Sequence, residues 1–251
     1  MNTYDLTGRT VLIAGGGKNL GALVARQAAA GGADVAIHYN SESSRPEAEK
    51  TLAAVEEAGR RGVLLTGDLT VPDNVRTLFE DAEAALGHID IAVNTVGKVL
   101  RKPIVETTED EYDDMFDVNA KAAYFFLQEA GRHVSDGGRI ITLVTALLAA
   151  FTDGYSTYAG GKAPVEHFTR AAAKEFGERG ISVNNVAPGP MDTPFFYGQE
   201  TPERVEFHKS QGLGGRLTEI GDIAPLILFL ATDGGWITGQ TLFANGGYTT
   251  R

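Results

Sequence analysis

A chain of 251 residues can bury a full core in one large domain, and 43% hydrophobic with 22% charged residues is an ordinary globular composition. The formal net charge of −11 argues against nucleic acid and anionic membrane as partners, and the lack of cysteine removes disulfides, thiolate zinc sites and a cysteine nucleophile. The five histidines show no HExxH-type pairing, so no catalytic metal is expected, and no apolar run approaches the ~20 residues of a membrane span.

The chain opens MNTYDLTGRTVLIAGG, with an early acid and an apolar run too short for a signal-peptide core, and a cytoplasmic protein is expected. TVLIA (10–14) is the first of a series of short β-branched or apolar runs: DVAIHY (34–39), GVLLT (62–66), IDIAVN (89–94), RIITLV (139–144), ISVNNV (181–186) and QTLFA (240–244). Longer alanine-rich or amphipathic segments separate most of them, with helical spacing at Leu20, Leu23, Val24 and Ala28 and at Val75, Leu78 and Phe79. Strands alternating with helices make βαβ units, and continuous apolar strands belong to a parallel sheet covered on both faces. The pattern runs from end to end without a Pro/Ser-rich linker, which predicts one Rossmann-like, doubly wound α/β domain over 1–251 with about seven strands. Only Pro188–Arg216 breaks the rhythm; proline, glycine and aromatics there suggest a substrate lid over about 190–216.

Between the first strand and the first helix stand Gly15, Gly16, Gly17 and Gly21. Gly15 can take positive φ for a tight turn, and missing side chains let the backbone approach a pyrophosphate at the helix N-terminus. The spacing Gly15-x-x-x-Asn19-x-Gly21 resembles the TGxxxGxG loop of the short-chain dehydrogenase/reductase family, with Ala14 for its threonine and Asn19 for its middle glycine. Further motifs fall in that family's order: Asp68-Leu69 after the third strand, NTVG (94–97) after the fourth, Asn119 in DVNAK, Tyr158-x-x-x-Lys162 and PGPMDT (188–193). The resemblance implies an oxidoreductase with Asn119, Thr145, Tyr158 and Lys162 as catalytic residues. It implies a nicotinamide dinucleotide held by Gly15, Gly17, Lys18, Asn19, Leu20 and Gly21, by Tyr39, Asn40 and Ser41, by Asp68 and Leu69 at the adenine, by Asn94 and Gly97, by Tyr158 and Lys162, and by Pro188, Gly189 and Thr193 at the carboxamide.

Residues four apart share a helix face, so Lys162 can sit beside Tyr158, and a close cation would lower the phenol's ordinary pKa of about 10. By resemblance Lys162 also holds the nicotinamide ribose, Tyr158 is the general acid/base, and Asn119 keeps a water in a proton relay. Thr145 stands thirteen residues before the tyrosine, where the family has serine; its methyl group restricts χ1 and implies a narrower substrate range. Around the pair, Gly160, Gly161 and Pro164 are poor helix formers, so packing must hold this helix, the glycines should permit a close approach, and Pro164 should kink the helix just past Lys162.

An acid ending the second strand would favour NAD(H), but Tyr39, Asn40 and Ser41 stand there. Lys18, with Arg45 assisting, resembles the cations that hold a 2′-phosphate, so NADP(H) is favoured, with NAD(H) open and Glu42 close by. Leu147, Leu148, Tyr155, Phe195, Phe196 and Tyr197 suggest an apolar or aromatic pocket for a small carbonyl or alcohol substrate. A 3-oxoacyl-carrier-protein reductase is an alternative, for which Arg132 and Arg179 could contribute a basic patch; a catalytically silent NADP(H) sensor is another. Members of the family usually assemble as tetramers through the helices carrying Asn119 and Tyr158, and a homotetramer is expected.

Overall fold

The protein is described here from a computed structural model covering residues 4–250. Seven strands form one parallel sheet: β1 (Thr10–Ala14), β2 (Asp34–Tyr39), β3 (Gly62–Thr66), β4 (Ile89–Asn94), β5 (Val134–Leu143), β6 (Ser182–Pro188) and β7 (Thr241–Ala244). Their order across the sheet is β3-β2-β1-β4-β5-β6-β7, so the winding reverses between β1 and β4, where a crevice opens at the strands' carboxyl ends.

Alternate side chains of each strand enter two separate cores. On one face Val11 and Ile13 pack with Leu20, Val24 and Ala28 of α1 (Asn19–Ala30) and with Ile223 and Ile227 of α9 (Ile220–Ala231). On the other, Leu12 and Ala14 pack with Val75 and Phe79 of α3 (Pro72–Leu86), Phe126 and Ala130 of α5 (Ala122–His133), and Ala172 of α6 (Ser156–Glu175). β1, β2 and β4 are buried along their full lengths, which is why they read as apolar runs without alternation. The remaining helices are α2 (Arg45–Glu57), α4 (Glu109–Phe116), α7 (Pro194–Tyr197) and α8 (Pro202–Gln211).

The structure departs from the sequence reading in two places. β5 starts at Val134 rather than near 139, because the chain bulges: Ile89 pairs with Val134 but Ile91 with Arg139. Between β6 and α9 the chain is not one long loop but carries α7 and α8, the latter capped where Thr201 accepts from the Arg204 N–H. α6 runs unbroken through Pro164. Packing holds the helix: Val165 and Thr169 are fully buried, and Thr169 donates to Asn185 Oδ1 at 2.8 Å.

Candidate active site

The crevice at the switch point is a cleft of about 790 Å³ bordered by the turn after β1, the ends of β2 to β6, α6, α7 and α8. Gly15 adopts φ +77°, and a Cβ there would lie 2.6 Å from Thr95 Oγ1. That hydroxyl donates to the Ala14 carbonyl at 2.9 Å, tying the turn to the end of β4. Gly21 is more constrained still, since a Cβ would stand 2.2 Å from the Gly15 carbonyl oxygen. Asn19, at the position of the family's middle glycine, has φ 48°, a left-handed conformation that asparagine tolerates better than most residues. The backbone geometry of the loop therefore survives the substitution.

His38 escaped the sequence reading, having no signal beyond its place in an apolar strand. Its Nδ1 accepts from the Gly15 N–H at 3.2 Å, and its Nε2 donates to the Gly67 carbonyl at 2.8 Å, so one buried imidazole pins the turn to the segment after β3. Burial holds its pKa below the ordinary value, consistent with the neutral form these two bonds require.

Gly15, Gly17, Lys18, Asn19, Leu20, Gly21, Tyr39, Asn40, Asp68, Leu69, Gly97, Pro188, Gly189 and Thr193 all line the cleft. Ser41 and Asn94 do not. Ser41 precedes a short helical turn and bonds Ser43, while Ser44 reaches the cleft instead. Asn94 is buried and shapes the following turn by accepting from the Val96 N–H at 2.9 Å. Arg45 is also off the cleft, paired with Glu49 at 2.9 Å and Glu42 at 3.3 Å; that pairing also occupies the one acid near the end of β2. Lys18 remains as an exposed cation at the cleft, its ammonium without a hydrogen bond or ion pair among the described residues.

Tyr158 and Lys162 both face the cleft from α6, with Thr145 from the segment after β5. Gly161 explains why glycine is used between them: a Cβ would lie 3.2 Å from Asn119 Cβ and from the Met115 carbonyl oxygen, so α6 sits tight against the turn carrying Asn119. Gly160 is under no such constraint, its nearest contact being Phe116 at 3.7 Å.

The electrostatics of the pair correct the sequence expectation. Tyr158 is not drawn toward neutral pH; burial pushes it up to about 12, and a hydrogen bond with Thr145 only partly offsets this. Burial likewise pushes Lys162 down to about 8. The ammonium donates to the Val96 carbonyl at 2.9 Å and the Leu143 carbonyl at 3.0 Å, so its hydrogen bonds hold the ends of β4 and β5 rather than the phenol.

Asn119 is fully buried in a π turn (Asp117–Lys121) between α4 and α5 and does not itself line the cleft. Its Nδ2 donates to the carbonyls of Lys98 at 2.8 Å and Met115 at 2.9 Å, and its Oδ1 accepts from the Lys98 N–H at 3.1 Å. The two amide hydrogens are thus committed to the loop after β4 and to Met115. A π turn at such a position is a common mark of a functional site.

Of the suggested substrate-pocket residues, Leu147, Tyr155, Phe195 and Phe196 line the cleft. Leu148 instead packs with Val144, Val165 and Ala187, and Tyr197 is exposed and donates to Asp192. Val99, Met191, Gln199, His208 and Tyr248 also line it and were not anticipated.

A dinucleotide fits these residues on three counts: a backbone turn with no room for side chains at its closest approaches, the unpaired Lys18, and the Thr193 hydroxyl, buried and without a hydrogen-bond partner. An orphaned buried hydroxyl costs stability unless a ligand engages it.

Residues 15–249 match the family model described as enoyl-(acyl carrier protein) reductase. The chain belongs to the short-chain dehydrogenase/reductase family. It is 34% identical over 258 residues, 97% of this chain and 95% of the relative, to an NADPH-dependent aldehyde reductase-like chloroplastic protein of Arabidopsis thaliana. It is also 34% identical, over 98% of this chain and 97% of the relative, to a hydroxynaphthalene reductase-like protein of Metarhizium brunneum. Among solved structures, a presumed dehydrogenase from Burkholderia cenocepacia with bound NADP superposes with TM-score 0.97 at 56% identity, over 99% of this chain and 96% of that one. Among the described residues no helix is long and apolar enough to cross a membrane, and no group of three or more His, Cys, Asp or Glu side chains is placed to hold a metal ion.

Proposed function

We propose that this family member is a cytoplasmic NADP(H)-dependent reductase of a small ketone or aldehyde, able to oxidise the matching secondary alcohol, with Tyr158 as general acid/base. The observation that carries this reading is the meeting of the Thr145 and Tyr158 hydroxyls in one cleft with Lys18 and the orphaned Thr193 hydroxyl. The NADP named with the Burkholderia structure and the NADPH named with the Arabidopsis relative support the choice of cofactor. So does the end of β2, where Tyr39 and Asn40 line the cleft and no acid does.

When bound, NADP(H) supplies or receives the hydride. The chain's own residues manage the oxygen and its proton. Thr145 and Tyr158 hydrogen-bond the substrate oxygen, and as negative charge develops on it the Tyr158 hydroxyl gives up its proton. A phenol pushed up to about 12 is fully protonated at neutral pH, which suits the reducing direction; oxidation requires the phenolate and should speed up as pH rises. Lys162 keeps the cleft wall in place through the Val96 and Leu143 carbonyls and adds positive charge near the site below its pKa of about 8. Asn119 positions the loop after β4, and the methyl group of Thr145 narrows the space at the carbonyl. α7 and α8 serve as the lid.

The carrier-protein alternative is weakened because Arg132 is paired with Glu129 and Arg179 with Asp136 and the Gly131 and Val134 carbonyls. A homotetramer is retained in this reading, supported by β7 as an edge strand and by the fully exposed Trp236 nearby in sequence. The test is NADPH against NADH consumption over ketones, aldehydes, quinones and 3-oxoacyl esters, with Tyr158→Phe alongside. NADPH oxidation lost in the variant supports the reductase; cofactor binding without turnover in either direction supports a sensor.

A further inference from the structure

The cleft wall formed by Tyr155, His208 and Tyr248 hides a carboxylate. Glu200, between α7 and α8, has a side chain 0% exposed. The Tyr155 hydroxyl and His208 Nε2 both meet its Oε1, the latter at 3.2 Å, and Arg101 Nε lies 3.8 Å from its Oε2. The chain of contacts continues outward, with the Tyr248 hydroxyl 3.0 Å from His208 Nδ1.

A carboxylate at the inner end and a neutral imidazole in the middle set the direction of the bonds in this chain. A carboxylate only accepts, so Tyr155 donates to it and His208 carries its proton on Nε2. In neutral imidazole Nδ1 then accepts, and Tyr248 must donate. Burial and the Glu200 charge both hold the Tyr248 phenol above its ordinary pKa, so it keeps the proton it donates. The result is a tyrosine at the cleft whose hydrogen is already committed and whose lone pairs alone are left for a ligand.

We propose that Tyr248, oriented by His208 and Glu200, forms a second polar subsite that accepts a hydrogen bond from a hydroxyl of the substrate, and that the preferred substrates are planar aromatic carbonyl compounds bearing such a hydroxyl. The aromatic preference follows from the walls: the Phe195 ring lies 6.2 Å from that of Tyr158, and the Phe196 ring 5.4 Å from that of His208. The carbonyl half of this assignment rests on the reductase reading above; the hydroxyl half does not.

The test is a calorimetric titration of the full-length, NADP-loaded protein at about pH 7.5. The probes are meta- and para-hydroxyacetophenone, each against its methyl ether, which cannot donate. In wild type the hydroxyl compound should bind about tenfold or more tighter than its ether. In Tyr248→Phe that ratio should fall to about one. In His208→Phe, which frees the Tyr248 proton to donate to the ether oxygen, the ratio should fall because the ether binds more tightly than it does to wild type, an outcome that mere loosening of the wall would not produce. Thermal unfolding of each variant checks its fold. Equal affinities in wild type, no binding of either compound, or a ratio kept in Tyr248→Phe would overturn the subsite. Discriminating binding with no NADPH oxidation on these compounds or on the carbonyl panel above would instead sink the reductase reading and leave the subsite standing.

Discussion

The turn between β1 and α1 and the wall made by α8 and the segment after β7 border one cleft but are built from different materials. The turn is backbone: Gly15 in a left-handed conformation, Gly21 against a carbonyl, and Asn19 able to adopt a positive φ. The wall is side chains, Tyr155, Glu200, His208 and Tyr248, brought together from four segments. A site made of backbone constrains residue type at fixed spacing, whereas a site made of side chains constrains only what meets in space. The first can hold a ligand common to many proteins while the second changes with the substrate.

The largest effect expected from breaking this division lies where the two halves meet. Tyr158→Phe should lower carbonyl reduction by about a thousandfold or more while NADPH affinity stays within a few-fold, read by steady-state kinetics and fluorescence titration. A parallel loss of cofactor binding would place the tyrosine in the wrong half. Next, Gly21→Ala puts a Cβ 2.2 Å from a carbonyl oxygen that cannot give way without moving the turn. It should cost roughly 1–3 kcal/mol in urea unfolding and most of the cofactor affinity.

Lys162 permits a test by pH. Its folded pKa of about 8 lies below the ordinary value of 10.5, so between these the unfolded chain binds more protons and stability rises with pH. Wild type should therefore gain on the order of 3 kcal/mol relative to Lys162→Met across that window, in cofactor-free urea unfolding at stepped pH. Tyr158 acts in the opposite sense above about pH 10, where the folded state holds its proton and stability falls. A flat difference between the two proteins would mean that the lysine is better solvated than its burial implies.

Lys18→Ala should weaken NADPH by roughly 10–100-fold and leave NADH nearly unchanged, as expected for one lost charge-assisted contact to a phosphate. The smallest effect is expected from Arg45→Ala, under about threefold for either cofactor, because its guanidinium is occupied by Glu42 and Glu49.

Much of the backbone half was legible before any coordinates. Seven apolar runs marked seven strands, since strands buried on both faces need no alternation, and the glycine spacing marked the turn. His38 was invisible because nothing local distinguishes a histidine that bridges Gly15 and Gly67 from one merely buried in a strand. Ser41 and Arg45 are near the end of β2 in sequence but stand off the cleft, because the helical turn there directs Ser44 into it. Glu200 and His208 gave no signal at all; a buried carboxylate inside a Pro/Gly-rich stretch reads as a surface residue.

The amino-acid order by itself determined the strands, the switch-point turn and the Tyr158/Lys162 helix face, because periodicity, steric freedom at glycine and i,i+4 geometry are local properties. Only the tertiary structure decided the charge states and the wall. Desolvation, which lifts Tyr158 and depresses Lys162, depends on what surrounds a group. The Tyr155–Glu200–His208–Tyr248 chain exists only because folding brings residues as much as 93 positions apart in the sequence within hydrogen-bond reach of one another.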